Sequence, residues 1–125
     1  MDSIRNKSEY VLKQMYKIHL DRIENNQSIF QSIFQSIFQS IFQSKYFGSC
    51  EELQNNYFLG FTFDELHDCI NELSYNGFLE VSYGSNVLCE IILNNNSIAY
   101  FEDLYSKNIR KLINDLSKLR SIIGL

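Results

Sequence analysis

Apolar residues recur at helical spacing early in the chain. Val11, Leu12, Met15, Ile18, His19 and Ile23 share one face at three-and-four steps, which predicts an amphipathic helix from about Ser8 to Glu24. Ser8 is the predicted N-cap, and Asn25-Asn26 the predicted stop or kink. Ser49-Cys50-Glu51-Glu52 has the capping-box order, Ser first and Glu three residues later, and opens a short helix to about Asn55. Gly60 marks a turn, and Thr62-Phe63-Asp64-Glu65 is a second capping box. The helix it opens, Phe63 to about Tyr75, places Leu66, Cys69, Ile70 and Leu73 on its buried face. Asn76-Gly77 ends it, because Gly takes the left-handed conformation without a Cβ clash. Two strand-like runs, Phe78 to Tyr83 and Val87 to Leu93, flank Gly84-Ser85-Asn86 and predict a hairpin. A final helix is capped by Asn94 or Asn95. Its stripe begins with Ile98, Phe101 and Tyr105, continues through Ile109, Leu112, Leu116, Leu119 and Ile123, and stops at Gly124.

Between the first helix and Ser49 the tetrapeptide Gln-Ser-Ile-Phe repeats four times, from Gln27 to Phe42. A strand would turn Ile and Phe to opposite sides and leave neither face polar. A helix instead stacks Ile29, Ile33, Ile37 and Ile41 in one row and the four Phe residues in the next. The stripe drifts by about 40° per repeat along roughly 24 Å of helix. Exact repetition equally fits a recent expansion tolerated as a longer helix or loop, and both readings stand at this point.

The order helix, short helix, longer helix, hairpin, helix predicts a mainly α fold with a small β-hairpin. It is the order of a winged helix, a helix-turn-helix followed by a wing, here with an N-terminal helical extension and a C-terminal amphipathic helix. Three segments follow: 1–45 with the first helix and the repeat, 46–106 as the winged-helix core, and 107–125 as the tail.

Charge divides at the same boundaries. Residues 46–106 hold ten acids and no Lys or Arg, whereas 1–45 carries a net +2 and 107–125 a net +4. Composition narrows the setting further. A chain of 125 residues with 45% hydrophobic residues makes one domain with a modest core. No stretch reaches the roughly 20 apolar residues of a membrane span, and the polar start, Met1 to Lys7, does not read as a secretory signal. Cys50, Cys69 and Cys89 are odd in number and widely spaced, which predicts free thiols in a cytoplasmic protein.

Three stretches carry a resemblance. They are Gly60-Phe-Thr-Phe-Asp-Glu-Leu66, Leu73-Ser-Tyr-Asn-Gly-Phe-Leu79, and Ile92 to Asp103 with its Asn94-Asn-Asn-Ser97 core. With the tail closing on Ile122-Ile123-Gly124-Leu125, residues 57–125 resemble the YjcQ-type small winged-helix proteins of Gram-positive bacteria and their phages. The match covers a little over half the chain and rests on packing and turn motifs. It departs from the family at Asn94–Ser97, where Thr-x-x-Gly is usual, and at the repeat, which has no counterpart. The resemblance implies a winged helix in a phage or mobile-element setting. It implies no enzymatic activity.

The residues point the same way. A recognition helix that reads DNA offers Arg, Lys, Asn or Gln, and duplex affinity comes largely from neutralised phosphates. The helix from Phe63 to Tyr75 offers Asp64, Glu65, His67, Asp68, Asn71 and Glu72, and the hairpin tip has no cation. Direct DNA binding through it is therefore disfavoured. The surviving alternative is a transcriptional regulator that uses the basic N- and C-terminal helices. The acids suit a basic protein partner, with Asp64, Glu65, Asp68 and Glu72 as leading contacts and Glu80 and Glu90 on the wing. A phage-encoded inhibitor of a nucleic-acid-binding defence protein, such as an anti-CRISPR acting as a DNA mimic, has this character. A plain solvated acidic surface is the competing explanation. No nucleophile with a nearby base, metal-ligand set or phosphate loop is visible, so neither enzyme activity nor a cofactor or metal is expected. Ile109, Leu112, Leu116, Leu119 and Ile123, together with the repeat, make more apolar surface than so small a domain covers easily, which predicts a homodimer.

Overall fold

In a computed structural model, which describes residues 4–30, 44–85, 87–106 and 108–125, the first element is helix α1 (Asn6–Phe30). Val11, Leu12 and Met15 are fully buried along it, as the spacing predicts. Two details differ from the sequence reading. Ser8 lies inside the first turn and is fully buried, so it does not cap the helix. The helix also runs unbroken through Asn25-Asn26. Asn costs a helix only some tenths of a kcal/mol, and no Gly or Pro stands there to stop it. The first Gln-Ser-Ile-Phe copy, Gln27 to Phe30, forms the end of α1. The remaining copies begin at Gln31 and lie outside the described residues.

Helix α2 (Cys50–Tyr57) is capped by Ser49, whose hydroxyl accepts from the Glu52 N–H at 3.2 Å. Helix α3 (Phe63–Tyr75) has the full reciprocal box between Thr62 and Glu65. Strands β1 (Leu79–Gly84) and β2 (Val87–Leu93) pair antiparallel with Leu79 opposite Leu93. A register shift lies between Ser82 and Tyr83, and Ser85 turns the hairpin at φ +53°. The outer edge of β2 gains a short partner that the sequence did not reveal. Tyr46 bridges Ile92, Phe47 donates to the Ile91 carbonyl at 2.9 Å, and Ile91 donates to the Gly48 carbonyl at 2.9 Å. So short a run leaves no alternation to detect.

The predicted final helix is two helices. α4 (Asn95–Tyr105) is capped by Asn94 and ends where Ser106 turns left-handed, at φ +47°. α5 (Ile109–Ile123) restarts under a new cap, the Asn108 side chain accepting from the Lys111 N–H at 3.1 Å, and ends at Gly124, φ +81°. The stripe continued across the break, so periodicity alone did not show it.

Among the described residues the elements are therefore mainly helical with one small antiparallel sheet. One core joins them. Leu12 and Met15 of α1, Leu66 and Ile70 of α3, Ile91 of β2, Phe101 of α4 and Leu112 of α5 are all fully buried. Tyr16 stacks on Phe101 at 4.9 Å between centroids and ties α1 to α4. The tail overturns part of the predicted dimer face. Leu112, Leu116 and Leu119 are 0%, 7% and 6% exposed, because α5 packs them against α1 within the same chain. Ile109 keeps 42% of its surface in solvent, and Ile123 packs partly on the core. Among the described residues no helix is long and apolar enough to cross a membrane.

Candidate partner-binding surface

The acidic character of α3 follows from its capping. A helix N-terminus favours carboxylates, and Asp64 and Glu65 occupy the first turn. With Leu66, Cys69, Ile70 and Leu73 fixed in the core, Asp64 and Asp68 stand exposed, four residues apart on one stretch of surface.

The structure separates the other predicted contacts from this pair. Lys7 donates to Glu65 at 2.5 Å, and Arg5 donates to Glu72 from both its backbone N–H at 3.3 Å and its Nε at 3.2 Å. The buried Ser8 hydroxyl donates a short hydrogen bond to the same Glu72 oxygen. Hydrogen bonds from Lys7 and from Thr62 hold the Glu65 carboxyl below its usual range. Partial burial pushes Glu72 up, but the bonds from Ser8 and Arg5 outweigh it and the net direction is down. Both carboxylates thus stay ionised and are already engaged by the N-terminal segment. Of the four leading contacts predicted on this helix, Glu65 and Glu72 therefore already have partners within the chain. Their partners are more than fifty residues away in sequence, where no local pattern reveals them.

Glu80 and Glu90 are exposed on the hairpin. Strand alternation puts them with Ser82 and Ile92 on the sheet face opposite Leu79, Ile91 and Leu93, which sit in the core. The Ser82 hydroxyl lies 3.5 Å from Glu90. The six acids therefore form a free pair on α3, a paired set on α3, and a separate pair on the outer hairpin face.

Reasoning from sequence missed the polar link between α3 and the wing. The Tyr83 hydroxyl donates to Asn71 Oδ1, and Asn71 Nδ2 lies 3.0 Å from His67 Nδ1. The Phe63 ring lies against His67 at 5.7 Å. The register shift at Ser82/Tyr83 aims Tyr83 at the helix, a role bulges often play and one that sequence spacing hides.

His19 is 3% exposed in the core. Burial drives its pKa down to about 4, opposed by a hydrogen bond to the Ser44 backbone and helped by Lys45 and Arg22. Cys50 and Cys69 are buried free thiols, and burial pushes Cys50 up to about 11, far from a reactive thiolate. Among the described residues no group of three His, Cys, Asp or Glu side chains is placed to hold a metal ion. Comparison with known proteins found no matching family model, curated protein or solved structure.

Proposed function

We propose that the chain is a non-enzymatic winged-helix module that binds a basic protein through the exposed acidic face of α3. The winged-helix reading is supported by the element order and by the short Tyr46–Gly48 partner on the edge of β2, between the first and second helices of the motif. The resemblance of residues 57–125 to YjcQ-type proteins belongs to the same proposal. So does a phage setting, in which the partner is a nucleic-acid-binding defence protein such as a CRISPR effector.

One observation carries the reading. The solvent face of α3 presents Asp64 and Asp68, while residues 46–106 contain no Lys or Arg to answer a phosphate backbone. Arg5 and Lys7, which reach α3 from the N-terminal segment, are held by Glu72 and Glu65. The test is a titration of isotope-labelled protein, followed by NMR, with a Lys/Arg-rich peptide and separately with a short duplex DNA at low salt. The peptide is expected to shift the amides around Asp64 and Asp68, and Asp64→Asn with Asp68→Asn removes those shifts. Peptide shifts that avoid α3 would overturn the proposal.

A second reading has its own support. Arg110, Lys118 and Arg120 are exposed on α5 and make no ion pair among the described residues. A DNA-binding regulator using this basic helix predicts that the duplex shifts α5 amides, with an affinity that falls steeply with salt.

A further inference from the structure

Between α1 and α5 the molecule carries a groove that the proposed acidic face of α3 does not use. α1 and α5 run antiparallel. Tyr16 and Leu20 sit beside Ile109 at one end, and Tyr10 sits beside Arg120 at the other. Depressions of about 460 and 170 Å³ lie at these two ends, and a third of about 350 Å³ continues from the second, sharing Tyr10 and Arg120 with it, to the loop at residues 58–61 and Leu125. From Ile109 to Arg120 the seam is about 16 Å long at the α-helical rise. Its rim is apolar and open to water, with Ile109 42%, Ile113 43% and Leu125 43% exposed.

The charges on this groove are polarised. Glu102 lines the Ile109 end, and Arg120 lines the opposite end. Both are exposed, and neither makes an ion pair among the described residues. Lys17, in the middle, is neutralised by Asp21 at 2.9 Å. With Glu102 at one end of the lining, Arg120 at the other and apolar side chains between, the groove is complementary to a second copy turned end for end. A two-fold axis near Ile113 lays the Glu102 end of one copy on the Arg120 end of the other, and does so twice. The rim ridge of Ile109 and Ile113 then enters the groove of the second copy, the ridge-into-groove packing of helices. The contact is isologous and therefore closes at two copies.

We infer that the α1–α5 groove is the interface of a two-fold homodimer, in which Glu102 of each copy pairs with Arg120 of the other around an Ile109/Ile113 centre. This face is distinct from the α3 surface, so the outcome for either leaves the other standing.

Light scattering on the full chain, over a concentration series at low salt, tests it. The expected mass is twice the 14.7 kDa of one chain. Ile113→Glu gives a monomer. Arg120→Glu alone and Glu102→Arg alone each weaken the dimer by about tenfold or more, as charge contacts at interfaces do. The double swap, Glu102→Arg with Arg120→Glu, restores it. All three sites are solvent-exposed, so circular dichroism is expected to show the same fold in every variant, and recovery by the double swap excludes misfolding as the cause. A wild-type monomer at every concentration would overturn the inference and leave the groove to a helix of another protein. So would a dimer indifferent to Ile113→Glu, or a double swap no tighter than its parents.

Discussion

Helices α3 and α5 are alike in construction and opposite in charge. They span 13 and 15 residues, and each starts at a side-chain cap and buries one leucine-bearing face. On α3 the N-terminal segment has taken up half the acids, Glu65 and Glu72, and left Asp64 and Asp68 to solvent. On α5 Asp115 is occupied by the Tyr105 hydroxyl at 2.8 Å and by Lys13 at 3.8 Å, and Lys111 reaches the Leu104 carbonyl at 3.5 Å, while Arg110, Lys118 and Arg120 face water. An amphipathic pattern thus specifies which face is buried. Which charges remain available depends on what the rest of the chain brings alongside.

The comparison breaks first at the buried faces. Leu66→Ala on α3 and Leu112→Ala on α5 are each expected to cost about 2–5 kcal/mol in urea unfolding, since both leucines are fully buried. A much smaller loss for Leu112 would show that α5 is an appendage and not part of the core.

A pH series separates buried from surface charge. His19 has a folded pKa of about 4 against 6.5 in the unfolded chain. Its contribution is complete above pH 6.5 and is lost as the pH falls through 6.5 towards 4, at most about 3 kcal/mol. His19→Leu is expected to flatten the urea midpoint across that window. Glu65 and Glu72 act lower. Their folded pKa values are depressed below 4.5, so their contribution is present above that value and disappears as the pH drops through the depressed ones.

Smaller effects sharpen the contrast on α3 itself. Ser8→Ala removes a buried donor to Glu72 and is expected to cost about 1–2 kcal/mol, with the Glu72 pKa rising in a carboxyl-carbon NMR titration. Asp64→Asn with Asp68→Asn is expected to change stability by less than about 0.5 kcal/mol, because both are exposed. A large loss there would show that the two acids serve the fold and not a partner.

Local chemistry was the legible part. The Ser49 and Thr62 caps, the hairpin pairing of Leu79–Gly84 with Val87–Leu93 and the buried row Leu66, Cys69, Ile70 and Leu73 follow from residues only a few positions apart, and the structure has them all. Ser8 misled because a Ser before an apolar run looks like a cap, whereas here its hydroxyl serves Glu72 across the core. The break at Ser106 was hidden because the residues before Asn108 include neither Gly nor Pro, and the apolar spacing carried on through it.

The sequence by itself determined the order of the elements through the hairpin, the Ser49 and Thr62 caps, and the division into an acidic middle and basic ends. These depend on backbone geometry and short-range periodicity, which act within a turn or two of helix. Only the tertiary structure decided that Leu112, Leu116 and Leu119 close on α1, that Arg5 and Lys7 meet Glu72 and Glu65, and that Tyr46 bridges Ile92. Each joins residues far apart in the chain. Their pairing follows from the shape of a shared core, which no short-range pattern encodes.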